Sequence, residues 1–224
     1  MKITEQEIAD YLAATPDFFD RHAELLATIQ LVSPHGKRAV SLQERQIELQ
    51  RDKTRALELK AAEMVRFAQE NEAIQQKLMR WMRALLMQPS ARELPATLAR
   101  ELQQQFAVPQ VGLKVWNVAP DYADIAHAQG YTPDAVVFAN SLTLPYCGIN
   151  SGFEAAQWVA DPLAVQSLAL IPLRPLTADA KAGTFGLLVF GSPDSQRFQA
   201  GMGTEFLARI GELSSAALGR LLPH

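Results

Sequence analysis

Cysteine is nearly absent: Cys147 stands alone among 224 residues. A disulfide within the chain is excluded, and so is a metal cluster built on cysteine. Long apolar runs are missing too; no stretch approaches the roughly eighteen residues that a membrane-crossing helix needs. The opening MKITEQEIADYLAATPDFF lacks the apolar core of a signal peptide, so a soluble, cytoplasmic protein is expected. Charge of one sign is also lacking. The net charge is −3 with acidic and basic residues interleaved, which argues against direct binding of nucleic acid or another bulk polyanion. There is no G-x-S-x-G, no P-loop and no G-x-G-x-x-G. Gly183, Gly186 and Gly191 fall inside a strand-like run and lie too far apart to cradle a phosphate.

The most informative absence is local. Residues 41–88 contain neither proline nor glycine, so they read as one helix, roughly 70 Å long at about 1.5 Å per residue. Every seventh residue from Leu57 gives Leu57, Met64, Asn71, Leu78 and Leu85; a second series gives Lys60, Phe67, Ile74 and Trp81. The two are offset by three, as the a and d positions of a heptad repeat are. Upstream, Leu42, Leu49 and Ala56 keep the spacing one residue out of phase, which marks a break in the repeat. Asn71 occupies an a position. In a parallel homodimer it would meet its own copy, costing stability but fixing register and strand number. The alternative is that the stripe packs within its own chain. The other faces mix signs, with Glu48 and Arg51, and Glu63 and Arg66, at helical spacing, as on a solvated helix.

The rest of the chain reads in order. Thr4 and Glu7 make a capping box for a short helix bearing Ile8, Tyr11 and Leu12. Pro16 and Asp17 start a second, with Phe18, Phe19, Leu25 and Leu26 apolar. Ser33-Pro34-His35-Gly36 reads as a turn. After the long helix, Ser90 with Glu93 matches a capping box, and Pro95 predicts a kink or restart near Leu94. Leu98, Leu102 and Phe106 form an amphipathic helix. Val111, Leu113 and Val115 alternate as a strand does. Residues 117–134 read as loop and 135–139 as a short apolar run. Residues 153–159 read as a short helix or irregular segment. Residues 167–173 and 183–191 are a buried antiparallel pair, and 201–222 are a closing helix. The sum is an α+β fold: residues 1–40 a helical cap, 41–89 a long coiled-coil helix, and 90–224 an antiparallel sheet with helices on one face and irregular segments over the other.

Several stretches together, YLAATPDFF, SPH followed by VSLQERQ, LPYCG, SLALIPL and FGSPDSQRFQAGMGTEFLARIGE, resemble the bacterial family catalogued as domain of unknown function 484, essentially end to end. The C-terminal half, with GTFGLLVFGSPDSQRF before a closing helix, resembles a GAF domain. The resemblance implies a GAF-like fold behind an N-terminal helical region and brings no established activity. Genes of the family often neighbour a tyrosine recombinase gene, which hints at a partner and shows nothing; a DNA recombinase is the example of a partner that the helical head would dock in the alternative, scaffold reading. Some GAF domains attach a linear tetrapyrrole to a pocket cysteine, and GAF-type methionine sulfoxide reductases cycle a disulfide. A lone Cys147 speaks against the second.

Trp116, Tyr131, Phe138, Tyr146, Phe153 and Trp158 cluster around the variable middle. They suit either a small organic ligand or a core that has filled an ancestral pocket. The expected pocket residues are Trp116, Phe138, Tyr146, Cys147, Phe153 and Trp158; no cofactor is specified. His127 lies with Asp121, Asp124 and Asp134 at spacings that match no metal pattern. The expectation is a non-enzymatic homodimer, joined through Leu57, Met64, Phe67, Asn71, Ile74, Leu78, Trp81 and Leu85. It would sense a small ligand and act through a partner protein. The alternative is an interaction scaffold with a filled pocket.

Overall fold

The computed structural model describes residues 3–28, 30–32, 39–176, 183–201 and 203–223. The chain forms two compact units, 1–71 and 72–224, whose division falls inside the long helix.

In the first unit, α1 (Glu5–Ala14) begins with the capping box read from sequence. The Glu7 N–H donates to Thr4 Oγ1, and the Thr4 N–H donates to Glu7 Oε2 at 2.8 Å. The Thr4 N–H, and then the Thr4 hydroxyl donating to the same oxygen at 2.9 Å, hold the Glu7 carboxyl below its usual range. α2 (Phe18–Arg21) follows Asp17, whose side chain makes no capping bond, and α3 (Ala23–Thr28) follows α2. Phe18 sits at the centre of a ring cluster with Tyr11, Phe19 and His22, so it anchors this helical cap. β1 (Gln30–Val32) and β2 (Ala39–Ser41) form a two-stranded antiparallel ribbon that the sequence reading did not anticipate. The turn expected at Ser33 to Gly36 lies outside the described residues.

α4 (Leu42–Leu86) is the long helix. Its Glu, Gln, Ala, Lys, Arg and Leu content favours helix throughout. Ion pairs at helical spacing support it, Arg45 with Glu48 at 3.0 Å and Arg66 with Glu70 at 3.8 Å.

The second unit carries the last turns of α4 and then restarts where Pro95 required it. A 3-10 turn, Ala91–Glu93, leads into α5 (Leu94–Phe106), with the proline in the first turn. The capping box expected of Ser90 and Glu93 does not form. The tighter turn gives the Glu93 N–H to the Ser90 carbonyl at 3.2 Å, so the Ser90 hydroxyl has no role there. β3 is Gln110–Val115. Residues 117–134, read as loop, contain the 3-10 turns Pro120–Tyr122 and Ala126–Ala128. The apolar run at 135–139 is helical: α6 (Pro133–Ser141), with Thr132 Oγ1 accepting the Ala135 N–H and proline at the first turn. β4 (Tyr146–Ile149), a 3-10 segment Glu154–Trp158, β5 (Ser167–Leu173), β6 (Gly186–Ser192) and α7 (Glu205–Leu218) complete it.

The four strands pair antiparallel in the order β3-β6-β5-β4. Alternation sorts their side chains onto two faces. Ala169, Ile171, Leu173, Leu188 and Phe190 pack under helices α5 and α7 and the end of α4, where Leu78, Trp81, Leu85, Leu98, Leu102 and Ile210 are buried. Leu168, Leu170, Leu187 and Val189 face the other way, under α6 and the segments around Ala155 and Val165. Burial on both faces explains why SLALIPL and GLLVFG are nearly continuous apolar runs. Gly211 lets α7 come down close on β5; a Cβ there would lie 2.8 Å from Ile171 Cγ2. This is the α+β arrangement expected from the sequence, an antiparallel sheet with flanking helices.

The stripe of α4 is divided. Leu78, Trp81 and Leu85, expected in a dimer seam, are packed in the chain's own core because α5 and α7 cover them. Leu57, Met64, Phe67 and Ile74 are exposed, as is Asn71.

Candidate functional site

The face of the sheet covered by α6 and irregular segments holds the aromatic side chains singled out from the sequence. β3 delivers Trp116 to it, since Leu113 and Val115 point to the helices and the next residue must point away. The Trp116 ring is buried, and its Nε1–H donates to the Thr184 carbonyl at 2.6 Å. Tyr131 leans on it with ring centroids 5.5 Å apart. Further along, Phe153 touches Phe138 at 5.5 Å and Tyr146 at 5.4 Å, so three expected pocket residues spend their faces on one another. The Trp158 backbone closes on β3, where a Cβ on Gly112 would lie 3.1 Å from the Trp158 carbonyl.

Cys147 is set apart from the other five candidates. It follows Tyr146 directly in β4, so it points through the sheet into the helical core. Burial there pushes its thiol above the usual range, the opposite of what a reactive thiolate needs.

What remains open on this face is a cleft of about 710 Å³ at the end of β3, beside α6. Trp116 and Tyr131 form its aromatic wall; Gln129, Gly130, Val136 and Val137 line the rest. Gly130 takes φ 73°, which lets the chain turn sharply at the rim. Beneath it Lys114 donates from Nζ to the carbonyls of Ala126 and Gln129, tying the loop to β3. Partial burial lowers the Lys114 pKa, and burial followed by the Lys114 charge lowers that of His127. Asp124, one of the acids near His127, is taken by Arg92, which donates to both carboxylate oxygens at 2.8 Å and holds that carboxyl below its usual range. Among the described residues, no three His, Cys, Asp or Glu side chains gather as a metal site.

α6 is fastened at both ends. At its start Thr132 gives its N–H to Glu154 Oε1 at 3.0 Å and its hydroxyl to Glu154 Oε2. At its end Asn140 Oδ1 accepts from the N–H and hydroxyl of Thr184 at 2.7 and 2.8 Å. Arg174 Nη2 donates to the Asn140 and Leu142 carbonyls, a cation where a helix C-terminus favours one. Asn140, Arg174 and Thr184 carried no signal in a single sequence, because their meeting is long-range. α6 itself could have been found from Thr132-Pro133-Asp134, a capping residue followed by proline and an acid.

A family model described as "Protein of unknown function, DUF484" matches residues 1–222. No curated protein matches the chain. Among solved structures, the GAF domain assigned to a sensor histidine kinase of Pseudomonas syringae pv. tomato is 17% identical, with 69% of this chain and 91% of that one covered and a TM-score of 0.45. The free methionine-R-sulfoxide reductase of Neisseria meningitidis is 15% identical over 66% of this chain and 90% of that one, with a TM-score of 0.44. The GAF domain of an Acinetobacter phosphoenolpyruvate-protein phosphotransferase is 12% identical over 65% and 92%, with a TM-score of 0.43.

Proposed function

The chain belongs to the DUF484 family of proteins of unknown function, and we propose for it the role of a non-enzymatic, dimeric sensor module. A GAF-like body senses a small molecule, a paired long helix carries the result, and a partner protein receives it. The observation that supports this reading is the division of the α4 stripe. Leu57, Met64, Phe67 and Ile74 remain 59, 66, 52 and 41% exposed. Leaving such side chains in water forgoes about 1.5–3 kcal/mol each. They recur at heptad spacing around an a-position Asn71, the pattern a second copy of the same helix satisfies best. One continuous helix thus offers a seam for a partner copy and ends rooted in the body core.

Native mass spectrometry of the full chain tests this directly. A dimer, with or without a retained small molecule, is the expected result; a monomer at tens of micromolar overturns the reading. Asn71→Ile is expected to raise the stability of the dimer and loosen its choice of oligomer, because a buried polar pair is exchanged for apolar contact.

A second reading has an observation of its own. Phe153 packs against Phe138 and Tyr146 on the covered face, ring on ring. This suits an interaction scaffold that docks a partner such as a DNA recombinase. A thermal-shift screen against metabolites separates the two: stabilisation abolished by Tyr131→Ala supports sensing, and none across the panel favours the scaffold.

A further inference from the structure

A line of hydrogen bonds runs from the cleft, past the end of β5 and the start of β6, to α7 on the far face. Trp116 Nε1–H donates to the Thr184 carbonyl at 2.6 Å. The Thr184 N–H and hydroxyl donate to Asn140 Oδ1 on α6. The Asn140 carbonyl accepts from the Arg174 guanidinium at 3.2 Å, and the Arg174 N–H donates to Ser215 Oγ of α7 at 3.1 Å. Trp116, Thr184 and Ser215 are buried, which limits competition from water at the two ends of the line, while the Arg174–Asn140 bond between them is exposed. Ser215 is followed by Ala216 and Ala217, which with Leu213 face Met82, Leu85 and Leu86 of α4 across an apolar groove of about 200 Å³.

We propose that Trp116, Thr184, Asn140, Arg174 and Ser215 form a mechanical link that transmits the state of the cleft to α7 and so to the end of the long helix. The link presupposes the sensing role proposed for the cleft and supplies its missing step. Together they are a polar route joining a residue of the cleft wall to α7, which lines a groove with the end of α4. A ligand pressing on the Trp116 ring would shift the Thr184 carbonyl, and through Asn140 the end of α6. Arg174 is gripped by α6 through its side chain and by α7 through its backbone, so it cannot follow one without loading the other. Coupling by such a route requires that the members respond as a unit and not independently.

A double-mutant cycle on the full chain, read by hydrogen–deuterium exchange without any ligand, tests this. Trp116→Phe keeps a ring but removes the donor; Ser215→Ala removes the acceptor on α7. Each alone is expected to speed exchange of α7 amides by about fivefold, the effect of one lost buried hydrogen bond. Exchange in α5 serves as the reference for global stability. In the Ser215→Ala background, Trp116→Phe is expected to add nothing further in α7. Effects that simply add, or an α7 indifferent to Trp116→Phe, overturn the link. Should Trp116→Phe fail to fold, Asn140→Ala, at an exposed position, takes its place in the same cycle with the same expected result. A cycle that fails in a protein whose cleft binds a metabolite refutes the link and spares the sensing role. A coupled cycle with a cleft that takes nothing supports the link and counts against sensing alone.

Discussion

Leu78, Trp81 and Leu85 are 6, 0 and 4% exposed, whereas Leu57, Met64 and Phe67, in the same apolar stripe of the same helix, are more than half exposed. The side chains are of the same kind and the spacing is unchanged. What differs is the supply of neighbours: α5 and α7 cover the last turns of α4, whereas Leu57, Met64 and Phe67 are left exposed. An apolar periodicity therefore states a demand for burial and not the identity of what meets it. The lower stretch meets the demand within the chain; the upper stretch leaves it open, and it is there that the proposed second copy would pack.

The comparison breaks most visibly at Trp81. Trp81→Ala should destabilise the body by about 3–5 kcal/mol, as the loss of a large buried ring does. Phe67→Ala should leave folding of the body within about 0.5 kcal/mol of the parent while weakening the dimer. Urea denaturation followed by circular dichroism, beside sedimentation of the same samples, checks both. Equal losses at the two positions would mean that the stripe is not divided. Trp81→Phe sharpens the point. The Trp81 Nε1 has no hydrogen-bond partner among the described residues, so this change removes an unsatisfied buried donor along with some volume and should cost far less than alanine.

A smaller effect is expected on the cleft side. Burial and the Lys114 charge depress the His127 pKa in the folded state, so the unfolded chain takes up a proton first as pH falls. The stability from keeping His127 neutral is fully present above about pH 6.5, its unfolded value, and is lost as pH falls towards the lower folded pKa. His127→Gln should flatten that loss. Melting temperatures from about pH 7.5 to 5 would show it, and identical slopes in both proteins would contradict it. Smallest of all is the effect at Cys147. Burial raises its thiol pKa, so labelling by a thiol reagent at neutral pH should be slow in the folded protein and rapid in urea. Fast labelling without denaturant would put Cys147 back on the open face.

Much of this architecture was legible in local pattern. The freedom of residues 41–88 from glycine and proline announced α4, period-two alternation announced β3, and Thr4 with Glu7 announced the start of α1. Where local chemistry had two outlets the reading failed. Ser90 and Glu93 carried a capping signature, yet the turn forced by Pro95 gave the Glu93 N–H to a backbone carbonyl. The run at 135–139 was too short to show a helical period, and the flanking Thr132 and Pro133, which could have marked a helix, were read as loop. Of the expected site, Trp116, Phe138, Tyr146, Phe153 and Trp158 do share one face, while Cys147 was misplaced by its nearness in sequence to Tyr146. Consecutive strand residues point to opposite faces, so adjacency along a strand was an argument for separation.

Local pattern alone specifies the element types, the order of the long helix and the body, the burial of β5 and β6, and the polar residue placed in the heptad stripe. These depend on periods of two, three and four residues, which any short window contains. Only the tertiary structure decided where along α4 the stripe stops being covered, which face Cys147 serves, and that Asn140, Arg174 and Thr184 meet at the end of α6. Those outcomes depend on which distant segment arrives at a surface. The free energy of burial is the same whichever apolar partner supplies it, so no local pattern distinguishes among them.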